Sequence, residues 1–217
     1  MHASDLVLYE YWRSSCSWRV RWALQYKGIS YISQHINLLQ NEQNSLDFLR
    51  ENPAGSVPAL KTPTGVFSES FAMLEWLEER YPSPALLPQN PESRLYVRQL
   101  ALTLLAGTQP LQNLSVQRYA REAPEARREW AHHWMHRGLR IYEALLVQHG
   151  RCGTYSWGSQ LSFADLCLVP QCYNALRVGM DLGVYPILAG IYQRALATEA
   201  CQLTHPDHHV FSVKPTS

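Results

Sequence analysis

Up to Tyr81, short apolar runs alternate with stretches of helical period, and beyond Pro91 only the helical period remains. Positions 6–11 predict a strand, 18–27 a helix closed by Gly28, and 31–37 a second strand. A helix that crosses over between two strands requires them to be parallel and the connection right-handed. A different unit follows: a short helix over 45–51, the loop containing Asn52, Pro53, Gly55 and Pro58, two short strands meeting at the Thr62-Pro63-Thr64-Gly65 turn, and a helix from Ser70 to Tyr81. Pro82, Pro84, Pro88 and Pro91 continue neither helix nor strand and mark a linker, placed at 84–91. Past it, helical spacing runs over 93–119, 123–149, 162–178 and 186–196. Ser162 and Asp165 have capping-box spacing, with Leu161 and Leu166 placed as a hydrophobic staple, which gives Asp165 a folding role. The expected architecture is an α/β domain over 1–83 followed by an all-α domain over 92–217.

Composition narrows the partners. A hydrophobic content of 46% in 217 residues supports a sizeable core, and a net charge of +1 without a basic block argues against nucleic acid and anionic membrane surfaces. No run approaches the roughly 20 apolar residues of a spanning helix, and the first residues lack a secretory pattern, so a cytoplasmic location is expected. The five cysteines are odd in number and scattered, and read as thiols. Only Cys16, between serines at a helix start, sits where a lowered thiol pKa is expected. His132 and His136 fall one turn apart with no acidic partner, and residues 205–209 read as a tail, so no metal is expected.

The chemistry concentrates between the first strand and the first helix, in Arg13-Ser14-Ser15-Cys16-Ser17-Trp18-Arg19-Val20-Arg21. Ligands of open α/β sheets bind at strand carboxyl ends, where the next helix offers free amides and the positive end of its dipole. Three hydroxyls and a thiol there can donate hydrogen bonds to a bound thiolate, although one of the serines must act as the N-cap. Val57-Pro58 after a glycine-containing loop suits a cis bond that turns the Val57 backbone toward an extended peptide. Glu69-Ser70 adds a helix start that holds a carboxylate, with Glu69 available to an ammonium group. A carboxylate, an ammonium, an extended backbone and a thiol together describe glutathione.

These residues carry a family resemblance over nearly the whole chain. The string from Ser14 to Arg21, Asn52-Pro53, Val57-Pro58-Ala59-Leu60, Glu69-Ser70, the run Gln109 to Ser115 and the run Ala164 to Gln171 resemble zeta-class glutathione transferases, the group that includes maleylacetoacetate isomerase. The resemblance implies a thioredoxin-like first domain that binds glutathione, a helical second domain and a homodimer. It also implies glutathione contacts at Ser14, Ser15, Cys16, Ser17, Trp18, Arg19, Gln43, Val57, Glu69 and Ser70, with Gln109, Asn113, Leu114 and Ser115 contributing from the second domain.

The implied activity is glutathione-dependent isomerisation of maleylacetoacetate, a small unsaturated dicarboxylate, in tyrosine and phenylalanine catabolism. Ser14 and Ser15 would activate the thiolate, with Cys16 supporting the thiol site rather than attacking. Arg13 and Arg177 would take the substrate carboxylates, since a guanidinium binds them bidentately and stays charged. Arg21 reads as structural, and Trp12 and Trp18 flank the site. Maleylpyruvate isomerisation, thiolate displacement on small haloacids, and a non-enzymatic binding module are the alternatives, the last disfavoured by the intact serine cluster.

Overall fold

The computed structural model describes residues 5–212. It separates into two compact units, one running to Ala85 and resuming at Thr198, the other spanning Leu86–Ala197.

The first unit holds a four-stranded sheet in the order β2-β1-β3-β4, with β1 at Val7–Glu10, β2 at Ile32–His35, β3 at Ala59–Thr62 and β4 at Gly65–Phe67. β1 runs parallel to β2, pairing Val7 with Ile32 and Glu10 with His35. It runs antiparallel to β3, pairing Tyr9 with Ala59, and β3 pairs antiparallel with β4 through the turn at Thr62–Gly65. The expected parallel crossover is present, with α1 (Ser15–Tyr26) as the crossing helix and Gly28 at φ 65° after its end. The short helix α2 is Leu46–Glu51 and α3 is Ser70–Arg80.

From Ser17 to Leu24 every residue of α1 is buried, Arg19 and Arg21 included. A helix buried all round needs cover on more than one side, and a guanidinium inside it needs partners. α3 supplies part of the cover. A further part comes from residues expected in the helical domain: α10 (Glu199–Thr204) packs on α1, where Thr204 Oγ1 accepts from Trp18 Nε1 at 3.2 Å. The segment from Thr198 therefore belongs to the first unit, which corrects both the 92–217 domain and the reading of 205–209 as a tail.

The second unit is helical: α4 (Pro91–Leu105), α5 (Gln109–Gln112), α6 (Leu114–Ala120), α7 (Pro124–His149), α8 (Phe163–Arg177) and α9 (Pro186–Leu196). Pro91, expected in the linker, is instead the first residue of α4, whose Asn90 cap accepts from Ser93 N at 3.0 Å. The single helix expected over 93–119 is three. Pro110 has no amide for an interior helical bond and so sits in the first turn of α5, while the Asn113 side chain caps α6. Asp165 is fully buried, its carboxylate accepting from Ser162 N at 2.9 Å, Ser162 Oγ at 2.7 Å and Ser156 N at 2.8 Å. That is the structural role expected of it.

Candidate active site

Strand direction decides which loops of the first unit meet. β1, β2 and β4 point one way and β3 the other, so the carboxyl ends of the three and the amino end of the fourth share one edge of the sheet. The chain leaving those ends carries Arg13 to Cys16 after β1, Gln43 after β2 and Glu69-Ser70 after β4, and the chain reaching β3 carries Val57. Topology alone thus gathers the first-unit candidates.

Ser14 is the serine that caps α1: its Oγ accepts from Ser17 N at 3.2 Å, which leaves the hydroxyl proton for a second partner. Ser15 opens the helix half-buried, ahead of the first i to i−4 bond, made by Trp18 N to Ser14 O at 2.8 Å. No acidic side chain occupies the first turn to offset the positive end of the dipole. Cys16 is half-buried, and none of the five cysteines is in a disulfide. Burial pushes the Cys201 thiol up to about 12 and the Cys172 thiol higher still, which keeps both protonated. Arg13 is half-buried, its guanidinium 5.4 Å from the Trp12 ring centroid, and it pairs with no carboxylate among the described residues.

Ser17 and Trp18 face inward. Ser17 Oγ accepts from Tyr11 N at 3.3 Å, and the fully buried Trp18 ring stacks on Trp22 and meets the edge of His205. What either residue offers a ligand is therefore backbone. Arg19, 1% exposed, donates from Nη1 to Ser70 Oγ at 2.7 Å.

The remaining first-unit candidates frame an extended ligand. Val57-Pro58 is cis, as expected, and Ser83-Pro84 is cis as well. The preceding loop is shaped by Asn52, which donates from Nδ2 to Ser56 O at 2.8 Å and accepts from Ala54 N at 3.3 Å. Gly55 has φ 56°, and a Cβ there would press on Leu49, Asn44 and the Gln43 carbonyl. Gln43 donates to Asn41 Oδ1 at 2.9 Å, while its buried Oε1 has no hydrogen-bond partner among the described residues. That is an acceptor suited to a peptide N–H. Ser70 is the first residue of α3 rather than its cap; the cap is Glu69, exposed and held at φ 71°, a conformation unfavourable for a residue with a Cβ.

In the second unit, Gln109 is buried at the start of α5, and Asn113 Oδ1 accepts from Ser115 N at 3.1 Å, capping α6, and from Ser115 Oγ at 3.0 Å. Leu114 is exposed beside them. Arg177 ends α8, exposed, its guanidinium 5.9 Å from the Tyr173 ring centroid. One pairing escaped the sequence reading: Gln112 and Gln171 exchange two amide hydrogen bonds, at 2.9 and 2.8 Å, and fix the α5 corner to α8. Both residues lie in runs that resemble the family, yet nothing in their spacing says that they meet.

Residues 13–80 match the N-terminal domain family of glutathione S-transferases. The chain is 44% identical over 208 residues to the maleylacetoacetate isomerase of Rattus norvegicus, covering 95% of this chain and 94% of that one. Its fold is similar to the holo structure of maleylpyruvate isomerase, a bacterial zeta-class glutathione S-transferase, with a TM-score of 0.92, 36% identity, and coverage of 95% of this chain and 100% of that one. It is also similar to maleylacetoacetate isomerase of Anaeromyxobacter dehalogenans with dicarboxyethyl glutathione and citrate bound in its active site, with a TM-score of 0.89, 40% identity, and coverage of 99% and 97%. The chain belongs to the zeta-class glutathione transferases, among the maleylacetoacetate isomerases.

Proposed function

We propose that this protein catalyses the glutathione-dependent conversion of maleylacetoacetate to fumarylacetoacetate. The observation that carries the proposal is the start of α1, where the hydroxyls of Ser14 and Ser15 sit at a helix amino end with no internal carboxylate to neutralise it. Gln43 Oε1, unpartnered among the described residues, and the Glu69-Ser70 start of α3 on the same sheet edge fit a peptide with charges at both ends.

Glutathione, when bound, supplies the thiolate that adds to the cis alkene carbon and departs again once the intervening single bond has rotated. The protein's part is to keep that sulfur ionised near neutral pH and to hold the dicarboxylate against it. Ser15 donates a hydrogen bond from its hydroxyl to the sulfur, Ser14 adds the donor left over from capping, and the dipole of α1 favours the anion. Cys16 shapes the thiol site without attacking. The tripeptide is held by Ser17, Trp18, Arg19, Gln43, Val57, Glu69 and Ser70, with Ser17 and Trp18 acting through backbone, and Gln109, Asn113, Leu114 and Ser115 serve it from the second unit. Arg13 and Arg177 take the substrate carboxylates.

The likeness to maleylpyruvate isomerase favours maleylpyruvate as the second substrate to test. We further propose a cytoplasmic homodimer working in tyrosine and phenylalanine catabolism. Leu95 and Leu102, seven residues apart and exposed on α4, offer a second copy an apolar stripe. No helix among the described residues is long and apolar enough to cross a membrane. Calorimetric titration with glutathione tests the proposal: binding should occur in the millimolar range or tighter and weaken on Gln43→Ala, and no measurable binding would overturn it.

A further inference from the structure

Arg21 is 2% exposed, and each of its guanidinium nitrogens is engaged within the first unit. Nη1 meets Glu10 Oε2 at 2.6 Å, Nη2 donates to the Trp12 carbonyl at 3.0 Å, and Nε donates to the Thr204 carbonyl at 2.9 Å. Glu10 Oε1 accepts in turn from Ser33 Oγ at 2.6 Å, and His209 Nε2 lies 3.6 Å from the same oxygen.

The Trp12 carbonyl lies in the turn that presents Arg13, Ser14 and Ser15. The turn is also held by Tyr11 N on Ser17 Oγ at 3.3 Å, Ser14 N on Tyr11 O at 3.0 Å, Ser17 N on Ser14 Oγ at 3.2 Å and Trp18 N on Ser14 O at 2.8 Å, all of which close within residues 11–18. Arg21, by contrast, ties the turn outward, to β1 through Glu10 and to the C-terminal segment through Thr204. We infer that Arg21 is a positioning residue for the thiol site, and that residues 198–212 help to set that site through Thr204 and His209. The planar fork matters: a lysine in its place keeps the charge opposite Glu10, but its donors radiate from one nitrogen and cannot span acceptors spaced around the three nitrogens of a guanidinium. A small displacement of Ser14 and Ser15 relative to the ligand sulfur then weakens catalysis without removing any group that touches it.

This inference rests on the proposed function, which puts the glutathione sulfur at Ser14 and Ser15. The test uses the full chain with Arg21→Lys, alongside the double variant Glu10→Gln/Arg21→Met, which leaves no unpaired buried charge. Each is followed by the ultraviolet thiolate absorbance of bound glutathione against pH, by kcat at saturating glutathione, by KM for maleylacetoacetate and by the thermal midpoint. The thiolate titration should move to higher pH and kcat should fall about tenfold or more, with KM little changed. His209→Ala, which loosens Glu10 from the C-terminal side, should move both readings the same way by less, and it carries the test if neither Arg21 variant folds. A folded variant with unaltered thiolate titration and kcat overturns the inference. Absence of a thiolate signal in the unaltered protein would remove the proposed function first, and this inference with it.

Discussion

Arg19 Nη1 donates to Ser70 Oγ across 2.7 Å in the buried interior, tying the helix that follows the thiol turn to the start of α3 on the same sheet edge. A hydrogen bond with one charged partner contributes about 1.5–3 kcal/mol net. Arg19→Met should lower the unfolding free energy by about that amount and weaken glutathione binding as well, because Ser70 loses its anchor. Urea denaturation and glutathione titration measured on the same variant check both effects.

Ser14 and Ser15 separate by what each removes. Ser14→Ala deletes the N-cap of α1 and should cost about 1 kcal/mol of stability in addition to any loss of rate. Ser15 caps nothing, so Ser15→Ala should leave stability within about 0.5 kcal/mol while kcat falls about a hundredfold or more. Thermal midpoints and kcat for the two variants provide the comparison, and equal rate losses with equal stability losses would contradict it.

Much of this was legible in advance for identifiable reasons. The crossover β1–α1–β2, the cis Val57-Pro58 and the Ser162–Asp165 box follow from local spacing and local chemistry, which a single sequence displays. The serine cluster was legible because a strand end followed by a helix start is itself a binding geometry. The cover of α1 was not. α10 is six residues long, too short for a periodic signal, and its bond to Trp18 spans 186 positions. A charged Glu10 inside an apolar strand was the one available hint that a buried partner such as Arg21 had to exist.

Acid should loosen the first unit. Burial, first among the causes, pushes the His35 and His205 imidazoles below their usual range. Burial would raise the Glu10 carboxyl, but its contacts with His209, Arg21 and Ser33 outweigh that and lower it. All three groups therefore hold their protons less tightly when folded, so their contribution is complete above the unfolded pKa values and is lost as pH falls through the folded ones. The thermal midpoint should be nearly flat down to about pH 6.5, the ordinary histidine value, and decline below it. His205→Phe should reduce the decline. A midpoint that rises on acidification to about pH 5 would contradict this account.

In the second unit α7 passes close to the start of α5 at Gly138, where a Cβ would overlap the buried Thr108 side chain. Gly138→Ala should destabilise by about 1–3 kcal/mol, as expected for overpacking, and adding Thr108→Ala should restore part of the loss. Denaturant midpoints of the single and double variants check this.

The thiolate that adds to the substrate also leaves, so glutathione is required and returned. The most direct measurement follows maleylacetoacetate, fumarylacetoacetate and free glutathione together in one reaction containing this protein. Conversion should occur only when glutathione is present, with many turnovers per glutathione and no net loss of the thiol. Stoichiometric depletion of glutathione, or equal conversion in its absence, would contradict it.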